Sequence, residues 1–137
     1  MKQYILPIAA AAALGGCAMS EDPETAAATT AEDRRALAET LGDRVAGPPQ
    51  QCVQRNTLKG NRGYGEHTIV FEGPGSTLYV NRTRNACPRL RPWNALRIRA
   101  QGNSLCSNEL VQVFDPVTGT DYGSCSLGEF TPYRRAG

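Results

Sequence analysis

The sequence predicts a mainly β fold: a small antiparallel β roll or barrel of five or six strands with two disulfides, preceded by a short helix and a flexible tether. Three observations carry this. After Pro48 the chain breaks into short apolar runs separated by Gly, Pro and Asn, and no run of ten or more residues there has helical periodicity. Four cysteines, Cys52, Cys87, Cys106 and Cys125, are spread through the same region with 34, 18 and 18 residues between them. A head of about 90 residues buries only roughly 60–65 % of its unfolded surface, so its core alone is marginal and covalent staples would matter.

The elements divide the chain at 16, 29 and 47. Residues 1–16 read as a signal peptide: Met1-Lys2 is a positive end, and Ile5 to Leu14 is an apolar run too short to cross a bilayer. Leu14-Gly15-Gly16-Cys17 resembles the bacterial lipobox. That resemblance implies lipid on the Cys17 thiol, cleavage after Gly16, acylation of the new amine and lasting attachment to the lipid bilayer. Ala18 stands where an Asp is associated with inner-membrane retention, so the resemblance implies the periplasmic face of the outer membrane. Residues 17–29 then form the lipidated cysteine and an acidic tether with little bulky apolar content.

Residues 30–47 hold a short helix and a linker. Thr30-Ala31-Glu32-Asp33 is close to a capping box, with Asp where Glu is usual. Ala31 to Leu41 is the helix, Leu37 and Leu41 share a face, and Gly42 is placed to end it. Gly47-Pro48-Pro49 leads into the head, residues 48–137. There Thr68–Glu72 and Thr77–Asn81 flank Gly73-Pro74-Gly75-Ser76 as a hairpin. Leu96–Ala100 alternates apolar residues with Arg97 and Arg99. Leu110–Phe114 is a further strand, Asp115–Gly119 a turn, Ser124–Phe130 a last short strand, and Val53–Leu58 an opening edge.

An even number of cysteines in a small exported chain reads as two disulfides. The spacing contains no C-x-x-C, which weighs against zinc and against a thioredoxin-like centre. Four cysteines allow three connectivities; the expectation adopted is nested, Cys52–Cys125 and Cys87–Cys106. Loops of roughly 70 and 20 residues would each add on the order of 3–4.5 kcal/mol in the chain-entropy account.

Residues that could carry chemistry are few. The only histidine, His67, has no Ser or Cys partner at a known family spacing, and it reads as the residue before a strand. Gly60–Gly65 (GNRGYG) lacks the strand–loop–helix context and the Gly-Lys-Ser/Thr of a phosphate loop, and reads as an exposed loop. Asp115 and Asp121 bracket PVTGT but depart from the calcium-loop pattern. No cofactor, metal site or catalytic residue is expected, and a non-enzyme is favoured. The alternative is a hydrolase of envelope polymers using His67 and a nearby carboxylate.

Charge is more informative. Residues 17–47 carry seven acids against three bases, and residues 48–137 carry eleven bases against six acids, a net of +5 on the head. Six arginines fall within residues 81–99: Arg82, Arg84, Arg89, Arg91, Arg97 and Arg99. Period 2 puts Arg97 and Arg99 on one strand face, and Arg82 and Arg84 on another if the chain stays extended. Should these segments be neighbours, Arg82, Arg84, Arg97 and Arg99 would form a surface for phosphate or carboxylate, such as lipopolysaccharide or peptidoglycan. The competing reading is that these arginines solvate a sheet face and discourage edge pairing. Trp93, between Pro92 and Asn94, and Tyr79 could stack on a sugar ring, although Trp93 reads first as a core plug. Nucleic acid is not expected, because the head lacks the basic density and repeated aromatics of a nucleic-acid reader.

Several segments read together resemble a known family. They are Ala46–Cys52 (AGPPQQC), Thr68–Phe71, Tyr79–Arg82, Ala86–Leu90 (ACPRL), Leu105–Asn108 and Gly123–Phe130 (GSCSLGEF). In this order around four cysteines they are similar to small proteobacterial lipoproteins classed as a domain of unknown function, over about residues 46–133. That family often has Gly after Cys-Pro, where this chain has Arg89. The resemblance implies a disulfide-stapled lipoprotein domain and brings no catalytic residues. Taken together, the sequence leads to an envelope lipoprotein with a binding or scaffolding role through an Arg-rich face.

Overall fold

A computed structural model describes residues 23–99 and 101–136, with side chains from residue 31 onward. The expected signal peptide and Cys17 lie outside the described residues. In chain order the elements are α1 (Pro23–Leu41), β1 (Val45–Ala46), β2 (Cys52–Gln54), a 3-10 turn (Arg55–Thr57), β3 (Gly60–Gly63), β4 (Thr68–Glu72) and β5 (Leu78–Arg82). There follow β6 (Ala95–Ile98), β7 (Ser104–Cys106), β8 (Leu110–Phe114), β9 (Asp121–Ser126) and β10 (Phe130–Arg134).

Among the described residues all the strand pairings are antiparallel, and they form three sheets in the orders β1-β10-β5-β4-β3, β2-β7 and β6-β8-β9. The mainly β class holds, with ten short strands among the described residues where five or six were expected. The extra ones are those that tertiary pairing creates from weak local signals. Gly60–Gly63, read as a loop, pairs along β4 from Gly60↔Glu72 to Gly63↔Ile69. Ser124–Phe130, read as one strand, is divided between β9 and β10.

The β4–β5 hairpin sits at the centre, with Val70 opposite Val80 and Phe71 opposite Tyr79. Thr68, Ile69, Val70 and Phe71 are all buried, which is how an apolar run without alternation behaves when both faces of its sheet are covered. Ile69 and Phe71 face the main core, whose other members come from every sheet: Val53 and Leu105, Val111 and Val113, Leu127 and Phe130, with Leu90 from a loop. The Phe71 and Phe130 rings meet at 5.6 Å between centroids, a normal tilted aromatic contact.

Val70, Leu78, Val80 and Tyr64 form a second core on the opposite face, and Leu37 and Leu41 of α1 pack against it. The spacing of four puts both leucines on one stripe, so the helix covers the sheet. Thr40 Oγ1 lies 2.7 Å from the Tyr64 hydroxyl. Gly42 ends the helix in the left-handed conformation at φ +59°, its N–H donating to Ala38 O at 3.0 Å. Arg44 donates to the Thr40 and Leu41 carbonyls, satisfying acceptors that a helix end leaves open. The helix starts at Pro23, eight residues before the expected Ala31, so part of the expected tether is helical and Thr30 lies inside it. Proline fits a first helical turn, and the alanines after it are strong helix formers.

The disulfides correct the nested expectation: Cys52 bonds Cys106 and Cys87 bonds Cys125. Cys52 and Cys106 stand directly opposite each other in the β2–β7 ladder, with Cα atoms 4.0 Å apart. Cys125, on β9, is fully buried beside Cys87, so neither could reach the partner that nesting assigned.

Candidate functional site

The six clustered arginines separate into three places. Arg82 ends β5, and Arg84 follows it with its N–H donating to Ser126 O at 2.9 Å. Together with Thr83, Glu129, Thr131 and Tyr133 they line a groove of about 420 Å³. The floor is rigid because the fully buried Asn81 makes two reciprocal 2.8 Å bonds with the backbone of Gly128. Glu129 is engaged elsewhere, accepting from Gln51 Nε2 at 2.7 Å. Among the described residues the Arg82 and Arg84 guanidiniums make no hydrogen bond, ion pair or ring contact. A groove with two such forks can take a phosphate or carboxylate by paired N–H donors.

Arg97 and Arg99 lie on the three-stranded sheet instead. Both donate to Gln112 Oε1, Arg99 at 3.1 Å and Arg97 at 3.5 Å, and Gln112 Nε2 in turn donates to Asp121. Arg97 also covers the Phe114 ring at 4.7 Å. The expected alternation is present, with Leu96 and Ile98 packed on the core and Arg97 outside. These two arginines line neither the Arg82–Arg84 groove nor the others beside it.

Arg89 and Arg91 belong to a third place, the loop between Cys87 and β6. With Glu66, Trp93, Asn94 and Tyr122 they line a groove of about 400 Å³. Trp93, expected first as a core plug, is 70 % exposed, whereas Tyr79 is buried and offers no stacking face. Leu90 is the plug: it is fully buried in the main core. The larger side chain of this loop is thus not the one that fills the core. Flanking Pro92 and Asn94, both turn formers, were the available signal that Trp93 sits at a turn.

His67 is exposed and lies beside Asp33, Glu66 and Arg82 in a groove of about 360 Å³ between α1 and the start of β4. Its imidazole makes no hydrogen bond to a carboxylate among the described residues. Asp115 accepts the Val117 and Thr118 N–H groups at 2.8 and 3.3 Å. The Val117 bond chiefly holds its carboxyl below the ordinary 3.8. Asp115 therefore closes a turn. Among the described residues no group of three His, Cys, Asp or Glu is placed to hold a metal, and no helix is long and apolar enough to cross a membrane. The chain matches no protein-family model, and comparison with curated proteins and with solved structures returns no match.

Proposed function

We propose that the protein is a lipid-anchored, non-catalytic binding module of the bacterial envelope, attached through Cys17 to the periplasmic face of the outer membrane, and that its head engages anionic groups of envelope polymers through Arg82 and Arg84. The observation that carries the binding half is the pair of unengaged guanidiniums on one rigid groove. Arg97 and Arg99, held by Gln112 and Phe114, take a lesser part. The resemblance to small lipoproteins and the Leu-Gly-Gly-Cys box support the anchor.

The test is retention of the full chain on immobilised lipopolysaccharide and on peptidoglycan across a salt series. Arg82→Glu with Arg84→Glu is expected to lower retention by roughly tenfold or more on the polymer bound, since charge-assisted bonds are replaced by repulsion. Arg97→Glu with Arg99→Glu is expected to have a smaller effect. Unchanged, salt-sensitive retention of a folded Arg82/Arg84 variant would overturn the reading, and the polymer that shows the loss names the source of the anion. For the anchor, Cys17→Ser is expected to move the protein from the membrane to the soluble fraction; a variant that stays with the membrane counts against lipidation.

A further inference from the structure

We propose that the groove beside Trp93 binds a pyranose ring of a glycan chain, stacked on the indole. This site is separate from the Arg82–Arg84 groove and does not depend on the anion-binding reading.

The first support is how the loop is held. Leu90 is driven into the core against Gly63, where even one added methyl group would stand 2.5 Å from the Leu90 Cγ. The Cys87–Cys125 bond fixes the loop's start, and Cys87 N–H donates to Glu66 O at 2.7 Å. Asn94 closes the tip, its Nδ2 donating to Arg89 O at 2.7 Å and its backbone N–H to Arg91 O at 3.1 Å. The Arg89 guanidinium covers the Tyr122 ring at 5.2 Å, and Arg91 donates to Leu90 O at 2.8 Å. The exposed indole thus stands on a loop fixed at several points, so little ordering cost remains for a ligand to bear.

The second support is what surrounds the indole. A lone exposed apolar residue carries no meaning by itself. Here the groove is also lined by Asn94, Glu66 and Arg91. Planar groups of this kind hold adjacent hydroxyls of a sugar. The ring's C–H face, weakly positive, suits the negative face of an aromatic system. Such a mixture of one aromatic face and a few convergent polar groups is the usual make-up of a small-ligand site. A membrane-inserting tip would instead need apolar neighbours, and those of Trp93 in this groove are mostly polar or charged: Glu66, Arg89, Arg91 and Asn94.

Trp93 is the chain's only tryptophan, so its emission reports this site alone. The experiment titrates the full chain carrying Cys17→Ser, which cannot be acylated there, with soluble oligosaccharides of glucose, of N-acetylglucosamine and of glucuronic acid. At least one series is expected to give a saturable emission change and to protect Trp93 from acrylamide quenching. Glu66→Gln and Asn94→Ala, which keep the reporter, are expected to weaken that binding by a few fold, roughly 0.5–1.5 kcal/mol per lost hydrogen bond. Retention on the same sugar, immobilised, is expected to fall roughly tenfold or more for Trp93→Ala, the cost of removing an aromatic anchor. Trp93→Phe should keep part of it. Silence across all three series, in a protein with both disulfides intact, overturns the proposal. So does a response confined to phosphatidylglycerol vesicles, which assigns the loop to a membrane surface. Loss of the sugar response in the Arg82→Glu, Arg84→Glu variant would also overturn it, by placing the ligand in the other groove.

Discussion

Arg89 sits at φ +55°, in the left-handed region that side-chain-bearing residues avoid. It follows Cys87-Pro88, and the cost of that conformation falls on the loop that presents Trp93. A pair of substitutions isolates the backbone contribution. Arg89→Ala and Arg89→Gly both lose the contact with the Tyr122 ring, but only glycine relieves the left-handed conformation. Arg89→Gly is therefore expected to be the more stable of the two by about 1 kcal/mol in urea unfolding. Equal midpoints would mean that the loop shifts to accommodate alanine. Other single-residue roles were hidden from the sequence for a common reason. Asn81 looked like a polar strand end, yet it is fully buried because its amide pairs with Gly128, 47 residues along the chain. Arg97 was readable, since period-2 alternation is local; its partner Gln112 was not, since strand pairing is non-local.

At the scale of elements, readability followed the strength of the local pattern. Leu110–Phe114 and Thr68–Glu72 match their strands end to end because most of their residues are β-branched or aromatic: Val111, Val113 and Phe114 in one, Thr68 to Phe71 in the other. Strands β1, β3 and β7 have two to four residues each, too few to set a local pattern, and they exist because a neighbour offers an edge. Strand β10 was partly masked by Pro132, which argues against a strand by removing a donor. The helix shows the opposite limit. Its C-terminal end at Leu41 was set by Gly42, but its docking depends on Tyr64 and Val70 leaving an apolar face uncovered, which no window of the helix sequence contains. The candidate grooves are non-local in the same way. Arg82 and Arg84 are neighbours in sequence and remain so in space, whereas Arg97 and Arg99 went to a different sheet with β6.

At the scale of the whole molecule, the two disulfides cross. The Cys52–Cys106 loop spans 54 residues and the Cys87–Cys125 loop 38, and each encloses one end of the other. Cys52–Cys106 joins the two strands of the β2–β7 ribbon, and Cys87–Cys125 joins the loop after β5 to β9. Loops of these lengths each correspond to about 4 kcal/mol of unfolded-state restriction, comparable with much of a small domain's net stability. The two bridges should nevertheless differ. Cys87 and Cys125 are fully buried members of the core, while Cys52 is exposed at the edge of a three-residue ladder. Replacing Cys87 and Cys125 with alanine removes packed sulfur atoms as well as the loop constraint, and releases the start of the Trp93 loop. Replacing Cys52 and Cys106 mainly removes the constraint. The Cys87→Ala, Cys125→Ala protein is therefore expected to be the less stable, by at least about 1 kcal/mol beyond the other pair because core volume is lost, and mild reductant is expected to open Cys52–Cys106 first. Protease digestion without reductant, read by mass spectrometry, should recover peptides joined through Cys52 and Cys106 and through Cys87 and Cys125. A peptide joining Cys52 to Cys125 would contradict the crossed arrangement, and equal losses in the two double variants would show that burial of the second bridge adds nothing to its loop.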